Sequence, residues 1–203
     1  MGNSSSSTAE EDQARNVASR RSSDATNNNT QTNENNSQQQ QQQPSYYTQA
    51  KQGYNDLVHA IIRPPRCIYE INQLGPIIFD FDGKKFHRKD FILHNPRGLK
   101  IMCSMWQPLP EYRLSLQLPC VIYLHGNSSA RLEGLPQLSL VLSLGVTFLS
   151  LDFCGSGLSD GDYVSLGVYE KEDLQAVIDY LRMTGTVSTI ALWGRSMGAG
   201  ECY

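Results

Sequence analysis

A five-residue turn constrains the fold of this chain more than any other feature. The apolar run at residues 189–193 is followed at once by Gly194-Arg195-Ser196-Met197-Gly198. A G-x-S-x-G sequence directly after a buried strand is typical of a sharp strand-to-helix turn that exposes the serine. The glycines fit such a turn because side chains there would clash with the neighbouring strand and helix. The pattern therefore predicts strand, turn and helix in that order, with Ser196 as a candidate nucleophile.

Apolar runs upstream of this turn predict a parallel sheet. Residues 120–124, 146–151 and 189–193 form continuous apolar runs, which suit strands buried on both faces and covered by helices. Helical patterns fill the two gaps between them, at residues 135–144 and 170–183. In the second pattern, apolar side chains recur three or four residues apart and so fall on one face. We predict a doubly wound α/β arrangement with right-handed crossovers.

Two further predicted strands and a helix precede the predicted parallel strands. Residues 86–93 and 99–107 have the character of strands, and a turn at residues 95–98 (Asn-Pro-Arg-Gly) lies between them. We therefore expect an antiparallel hairpin. Further upstream, residues 55–62 predict a short helix that Pro64 and Pro65 stop.

The loop after the first apolar run carries a second group of candidate site residues. His125-Gly126-Asn127 ends that run. In hydrolases that use a G-x-S-x-G turn, a backbone N–H of this loop and the N–H of the residue after the serine form the oxyanion hole. We assign the N–H of Asn127 as the first donor, with Ser128 as the alternative, and the N–H of Met197 as the second. His125 precedes the serine in the chain, and we expect it to orient the loop.

A glycine-rich segment follows the second apolar run. We expect Asp152 to accept backbone N–H bonds in a tight turn that Gly155 and Gly157 permit; a catalytic carboxylate at this strand end is the alternative. The lysine of a phosphate-binding loop is absent after the G-S-G sequence. Asp160 and Asp162 lack the ligand spacing of an EF-hand. We therefore predict neither a phosphate site nor a calcium site here.

Several of these blocks together resemble one protein family. HGNSS, DFCGSGLSDGDYVSLG, EKEDL and LWGRSMGAG occur in the order seen in eukaryotic α/β-hydrolase proteins of the serine-aminopeptidase-like type, which are common in plants and protists. IIRPPR and RKD are similar to that family's amino-terminal part. The resemblance implies the α/β-hydrolase fold and hydrolysis of ester, thioester or amide bonds in small-molecule or acyl substrates, with Ser196 as the nucleophile. A more distant likeness is to membrane-associated depalmitoylating hydrolases, which also use an H-G-N loop.

The acid and histidine of a catalytic triad have no counterpart at the positions where the family carries them. In the family both lie well after the serine, whereas the sequence ends at Tyr203 and all four histidines precede Ser196. We therefore expect the amino-terminal half of the fold, truncated just after the nucleophile turn. We also expect little catalysis from it, because the oxyanion hole and binding alone supply only residual activity.

Three interpretations stay open at this point. The first is a serine hydrolase whose chain is cut short here and which is inactive in this form. The second is a non-catalytic fragment that acts as a binding protein or has no function. The third is a membrane-associated acyl-protein thioesterase, which the amino-terminal sequence MGNSSS and the H-G-N loop suggest together.

Composition divides the chain into two parts. Residues 1–45 are rich in Ser, Asn and Gln with almost no large apolar side chains, so we predict a disordered, low-complexity tail. Residues 46–203 have the composition of a globular domain.

Net charge and cysteine content limit the kinds of ligand and the cellular compartment that we expect. The net charge of −3 does not favour nucleic-acid binding. The five cysteines are scattered without metal-ligand spacing, which indicates a reducing compartment rather than a disulfide framework. We expect no metal, no cofactor and a cytoplasmic location, and the sequence leaves the oligomeric state open.

The amino terminus carries a lipidation signal. MGNSSS fits M-G-x-x-x-[ST], so Gly2 is a candidate for N-myristoylation. One acyl chain alone binds membranes only marginally. We therefore expect a protein that is peripheral on membranes and associates with them weakly through this group.

The first prediction concerns Gly2. Replacing Gly2 by Ala removes the acceptor amine of the acyl group, so the fraction of the protein that sediments with cell membranes should fall. An unchanged membrane fraction for Gly2→Ala would contradict the assignment of the lipidation site.

Overall fold

The computed structural model describes residues 45–202, so Gly2 and nearly all of the predicted tail lie outside the described residues. The strands are β1 (Ile78–Phe81), β2 (Lys84–His94), β3 (Lys100–Pro108), β4 (Leu118–Leu124), β5 (Thr147–Asp152) and β6 (Val187–Gly194). The α-helices are α1 (Tyr46–Ile62), α2 (Leu135–Ser143), α3 (Glu170–Thr184) and α4 (Met197–Gly200). Three short 3₁₀ helices cover Ile71–Leu74, Pro110–Tyr112 and Arg131–Gly134.

The six strands form one mixed sheet in the order β1-β2-β3-β5-β4-β6. β1, β2 and β3 pair antiparallel, and β3 also pairs antiparallel with β5. β4 pairs parallel with β5 on one side and with β6 on the other. The chain therefore reverses its direction of winding at β4, and in open α/β sheets the carboxyl ends of the strands at such a point form a crevice.

Alternating side chains of the central strands build a core on each face of the sheet. On one face, Cys120 and Ile122 of β4 pack with Leu174, Val177 and Leu181 of α3. Every second side chain of the strand points to this face, and side chains three or four residues apart on the helix point towards it, so the two sets are in contact. On the opposite face, Tyr123, Trp106 and Phe148 pack with Val141 and Leu142 of α2. The predicted parallel strands, crossover helices and amino-terminal hairpin are all present.

The prediction for the last apolar run was wrong in one respect. β6 was expected to be buried on both faces, but its residues alternate between half-buried and exposed. Ile190 and Leu192 pack on the α3 side, whereas Ala191 and Trp193 are exposed. The reason is that β6 lies at the edge of the described sheet, where the α2 layer does not extend.

Two elements also differ from their predicted extent. Helix α1 begins at Tyr46 rather than at residue 55, and none of its residues is buried. Strand β1 was not predicted. It is a short edge strand that pairs with β2 through a turn at Asp82 and Gly83. Among the described residues no helix is long and apolar enough to cross a bilayer.

A buried polar cluster joins β5 to the segments that flank the sheet. The fully buried Asp152 accepts hydrogen bonds from the Tyr69 hydroxyl (2.6 Å) and the Arg131 backbone N–H (2.7 Å). The Tyr69 hydroxyl in turn accepts a hydrogen bond from Nε of the fully buried Arg131 (2.6 Å). Burial and the neighbouring Asp152 carboxylate raise the pKa of Tyr69, so its hydroxyl stays protonated as a donor. This cluster fixes the start of the 3₁₀ helix Arg131–Gly134 against the end of β5.

The second prediction concerns this cluster. Replacing Asp152 by Asn leaves the buried guanidinium of Arg131 without its counter-charge, so we expect the free energy of unfolding to fall by roughly 3–5 kcal/mol. Tyr69→Phe removes a hydroxyl but no charge, and it should cost about 1–3 kcal/mol. Urea titrations followed by circular dichroism measure both.

Asp179→Asn is the matched control, because the exposed Asp179 bonds only Gln175 within its own helix. A loss for Asp152→Asn no larger than that of this control would contradict the counter-charge role.

Candidate active site

Ser196 lies at the sharp turn between β6 and α4. Its backbone has φ 52° and ψ −115°, a sparsely populated combination for a residue other than glycine. Such strain is held by the surrounding structure and tends to occur at functional sites. The side chain is exposed, and Ser196 Oγ makes no hydrogen bond with any other residue in the range 45–202. The turn therefore presents a free hydroxyl at the carboxyl end of the sheet.

The two glycines of the turn are required by close approaches of the backbone. A Cβ on Gly194 would lie 2.2 Å from the carbonyl oxygen of Gly198. A Cβ on Gly198 would lie 2.2 Å from the carbonyl oxygen of Leu124, at the end of β4. Both contacts are far inside van der Waals distance, so the clashes with strand and helix that the sequence predicts are confirmed. The turn can close only if both positions lack side chains.

His125 anchors the loop that follows β4. This residue is fully buried, and its Nε2 accepts a hydrogen bond from the Phe153 backbone N–H (3.1 Å). Its Nδ1 therefore carries the proton and donates to the Gly126 carbonyl oxygen (2.8 Å). Burial lowers the pKa of His125, although the bond to Gly126 opposes that shift, so the ring is neutral. Both nitrogens are occupied by backbone partners, which agrees with the predicted role in orienting the loop.

The structure brings the two candidate oxyanion donors to adjacent segments. The Arg195 N–H donates to the Leu124 carbonyl oxygen (3.1 Å), so the turn after β6 lies against the loop after β4. Within the described residues, the backbone N–H groups of Asn127 and Met197 have no acceptor. The alternative donor Ser128 is engaged, because its N–H bonds the Asn127 side chain oxygen (2.9 Å). Asn127 and Met197 thus offer two free donors close to the serine turn.

A carboxylate that the sequence analysis missed holds these two segments together. Glu133 forms a two-bond ion pair with Arg195, through Nε to Oε1 (2.7 Å) and a terminal guanidinium nitrogen to Oε2 (2.6 Å). Its Oε1 also accepts bonds from the Gly126 N–H (3.2 Å) and the Tyr123 hydroxyl (3.1 Å). The same carboxylate therefore contacts the serine turn, the loop after β4 and β4 itself.

The electrostatics of Glu133 reflect this set of partners. Burial raises the pKa of this carboxyl, but hydrogen bonds from Arg195, Ser129, the Gly126 N–H and Tyr123 outweigh it and lower the pKa to about 2. Glu133 is therefore ionised over the whole physiological range. No local sequence signal points to it, because Arg195 is largely exposed and lies 62 residues away along the chain.

Asp152, at the carboxyl end of β5, belongs to the turn that follows it. Its Oδ2 accepts the Leu158 N–H (2.9 Å), as the sequence predicts. The carboxylate fills the space beside Gly157, where a Cβ would lie 2.4 Å from its carboxyl carbon. Asp152 is also bonded to Tyr69 and Arg131, so it has no oxygen directed at Ser196 among these contacts. Its role is to hold the backbone of this edge of the sheet.

A base for Ser196 is not among the partners that the described residues provide. His125 is fully occupied, His87 contacts the Gln107 side chain (3.2 Å), and His59 and His94 lie on α1 and at the end of β2. Within residues 45–202 no cluster of three or more His, Cys, Asp or Glu side chains could hold a metal ion. The described part thus supplies the exposed Ser196 hydroxyl and the unpaired backbone N–H groups of Asn127 and Met197.

The third prediction concerns Glu133. Glu133→Gln weakens the ion pair with Arg195, and we expect the free energy of unfolding at pH 7 to fall by about 2 kcal/mol. The folded-state pKa is depressed from the ordinary 4.5 to about 2. The contribution of Glu133 is therefore fully present above pH 4.5 and is lost as the pH falls towards 2. The stability difference between wild type and Glu133→Gln should shrink over that window in urea titrations.

Glu111→Gln is the matched control, since Glu111 is exposed and makes the same change of charge. The assignment fails if the difference between wild type and Glu133→Gln is the same at pH 3 as at pH 7, or if the Glu111 variant reproduces it.

Known proteins are similar to this chain in sequence over a short region and in fold over a longer one. No family model matches the chain. The uncharacterised protein YqkD of Bacillus subtilis is 38% identical over 80 residues, which are 39% of this chain and 26% of that protein. The esterase Pf2001 of Pyrococcus furiosus superposes with a TM-score of 0.55 at 26% identity, over 70% of this chain and 49% of that one.

A second solved structure agrees on the fold alone. The acetyl xylan esterase of Paenibacillus sp. R4 has a TM-score of 0.50 at 22% identity and covers 62% of this chain and 46% of that one. The chain spans about half the length of these structures. The described residues therefore have the fold of the amino-terminal half of an α/β-hydrolase, and both of these solved structures are esterases.

Proposed function

We propose that this chain carries the nucleophile and the oxyanion hole of a serine hydrolase that cleaves ester bonds in small acyl substrates. Ser196 forms the acyl-enzyme, and the backbone N–H groups of Asn127 and Met197 bind the oxyanion. The neighbouring esterase structures support the class of reaction. Thioester and amide bonds are cleaved by the same sequence of steps and belong to the same proposal.

The observation that carries the proposal is the strained backbone of Ser196 beside two unpaired N–H donors. A residue other than glycine at φ 52° and ψ −115° costs about 1–3 kcal/mol, and nothing in the packing of the exposed side chain offsets it. The conformation does, however, place the hydroxyl at the tip of the turn. It also leaves the Met197 N–H, at the start of α4, without an acceptor in the described part of the chain.

The chemistry that this geometry supports is acyl transfer to water. Ser196 Oγ attacks the ester carbonyl carbon and loses its proton to a base, and the carbonyl oxygen becomes an oxyanion. Each donor of an oxyanion hole is worth about 3 kcal/mol of barrier. The ester C–O bond then breaks, and the leaving alkoxide takes the proton. Water repeats the steps on the acyl-enzyme and releases the acid.

The base in this scheme is not one of the described residues. Neither nitrogen of His125 is free, and no other imidazole of residues 45–202 contacts Ser196. We propose that a histidine and an acid from a further segment complete the site in the active protein. In the 203-residue chain by itself Ser196 is then a poor nucleophile, and turnover is residual.

The same observation favours a second function. Without a base, an exposed serine turn with two free donors can still bind a carboxylate or carbonyl ligand. A non-catalytic binding protein is therefore the alternative to the hydrolase.

A fluorophosphonate probe tests the proposal, because it modifies only an activated serine. The fourth prediction is that the native protein, isolated from its own cells, is labelled at Ser196 and that Ser196→Ala is not. The purified 203-residue chain should be labelled at least about a thousandfold more slowly, since loss of the base removes most of the activation. Peptide mass mapping locates the label.

Failure to label the natively folded protein from its own cells would contradict the hydrolase and favour the binding protein. Ser156→Ala is the matched control, because Ser156 lies in the turn after β5 and is buried. Comparing p-nitrophenyl esters with acyl-thioesters as substrates then separates a general esterase from an acyl-protein thioesterase.

A further inference from the structure

Within the described part of the chain, helix α1 carries an exposed apolar face. None of its 17 residues is buried. Five of its large apolar side chains are between 51% (Ile61) and 91% (Tyr46) exposed, namely Tyr46, Tyr47, Tyr54, Leu57 and Ile61, whereas Val58 and Ile62 are half-buried. At 100° per residue these five fall within about one third of the helix circumference. Polar side chains such as Asn55, Asp56 and His59 occupy most of the rest, together with the half-buried Val58 and Ile62, so the helix is amphipathic.

The exposed apolar surface continues from α1 onto a loop at the carboxyl edge of the sheet. The Val164 N–H donates to the Ile62 carbonyl oxygen (2.8 Å), and the Arg63 guanidinium lies 5.7 Å from the Tyr163 ring centre. The loop that starts there exposes Tyr163, Leu166, Val168 and Tyr169 by about half each. A Cβ on Gly167 in this loop would lie 3.3 Å from Glu201 Oε1, just after α4. The loop thus lies near the Ser196 turn.

The sequence before α1 contains few apolar side chains. Between Gly2 and Ser45 the largest apolar side chain is Val17, and most residues are Ser, Asn and Gln. The same stretch does begin with the lipidation motif at Gly2, and α1 is the first helix after it. A single acyl chain holds a protein on a bilayer only marginally, so stable binding takes a second membrane-binding element.

We propose that α1 and the loop at residues 163–169 form a membrane-binding surface that lies in the headgroup region of a lipid bilayer. Tyrosines are favoured at that depth because their rings are apolar and their hydroxyls stay hydrated. The helix carries one Lys51 and one Asp56. The cations beside the loop are paired with acids, Arg63 with Asp162 (3.6 Å) and Arg97 with Glu172 (3.0 Å), so binding depends on apolar burial rather than on anionic lipid. This orientation places the carboxyl edge of the sheet, with Ser196, next to the bilayer. Membrane binding through this surface does not require hydrolytic activity.

Vesicle binding of the 203-residue chain is the fifth prediction. The chain without acylation should co-sediment with phosphatidylcholine vesicles, with little dependence on salt or on added phosphatidylserine. The double variant Leu57→Gln/Ile61→Gln should lower the partition coefficient by about tenfold or more, because each residue loses a large part of its apolar burial. Leu166→Gln/Val168→Gln should lower it as well. Acylation at Gly2 should raise the binding of every form.

Leu114→Gln/Leu116→Gln is the matched control. These leucines are 78% and 91% exposed, and they precede β4 at the opposite edge of the sheet, so their replacement should leave binding unchanged. All variants should keep the wild-type urea midpoint, since no replaced residue is buried.

The proposal is overturned if the unacylated wild type does not bind vesicles, or if the α1 variant binds as well as wild type. An equal loss in the control variant would also overturn it, because the effect would then not be local to this surface. Sedimentation velocity adds one more contrary outcome. If the α1 variant turns a dimer into a monomer without changing vesicle binding, a second copy of the chain covers the face instead.

Discussion

The ion pair between Glu133 and Arg195 is the contact on which the geometry of the candidate site depends. The serine turn and the loop after β4 come from different strands, and each has free backbone groups at its tip. An oxyanion hole needs one donor from each, held in place before the substrate arrives. Glu133 bonds Arg195 on one side and the Gly126 N–H on the other, so a single carboxylate sets the spacing of both segments.

This contact depends in turn on the sheet. β4 and β6 are parallel neighbours, so their carboxyl ends lie side by side, and Gly198 lies directly against the Leu124 carbonyl. Glu133 itself lies in the 3₁₀ helix Arg131–Gly134, whose start is fixed by the Asp152, Tyr69 and Arg131 cluster. The buried Asp152–Arg131 pair at the end of β5 therefore positions Glu133, which in turn holds the exposed Arg195 of the serine turn. Separating Arg131 from Asp152 would leave a buried charge without its counter-charge, which favours the observed arrangement.

The sequence predicts the parts of the site that follow from local pattern. The turn at Ser196 is set by the requirement for glycine at positions 194 and 198, which can be read from the neighbouring residues. Glu133 could not be found in this way, since it is 62 residues from Arg195 and only the fold brings them together. The exposure of β6 was missed for a similar reason. An apolar run shows that a strand can be buried, whereas its position in the sheet decides how many of its faces are covered.

The most direct test of this account is a crystal structure of the chain with a phosphonate bound covalently to Ser196 Oγ after prolonged incubation. The phosphonyl oxygen stands in for the oxyanion of the acyl-transfer intermediate. The account predicts that this oxygen accepts bonds of about 2.7–3.1 Å from the backbone N–H groups of both Asn127 and Met197. It also predicts that Glu133 stays paired with Arg195. A phosphonyl oxygen that contacts neither N–H group, or a serine turn that has moved away from the loop after β4, would contradict it.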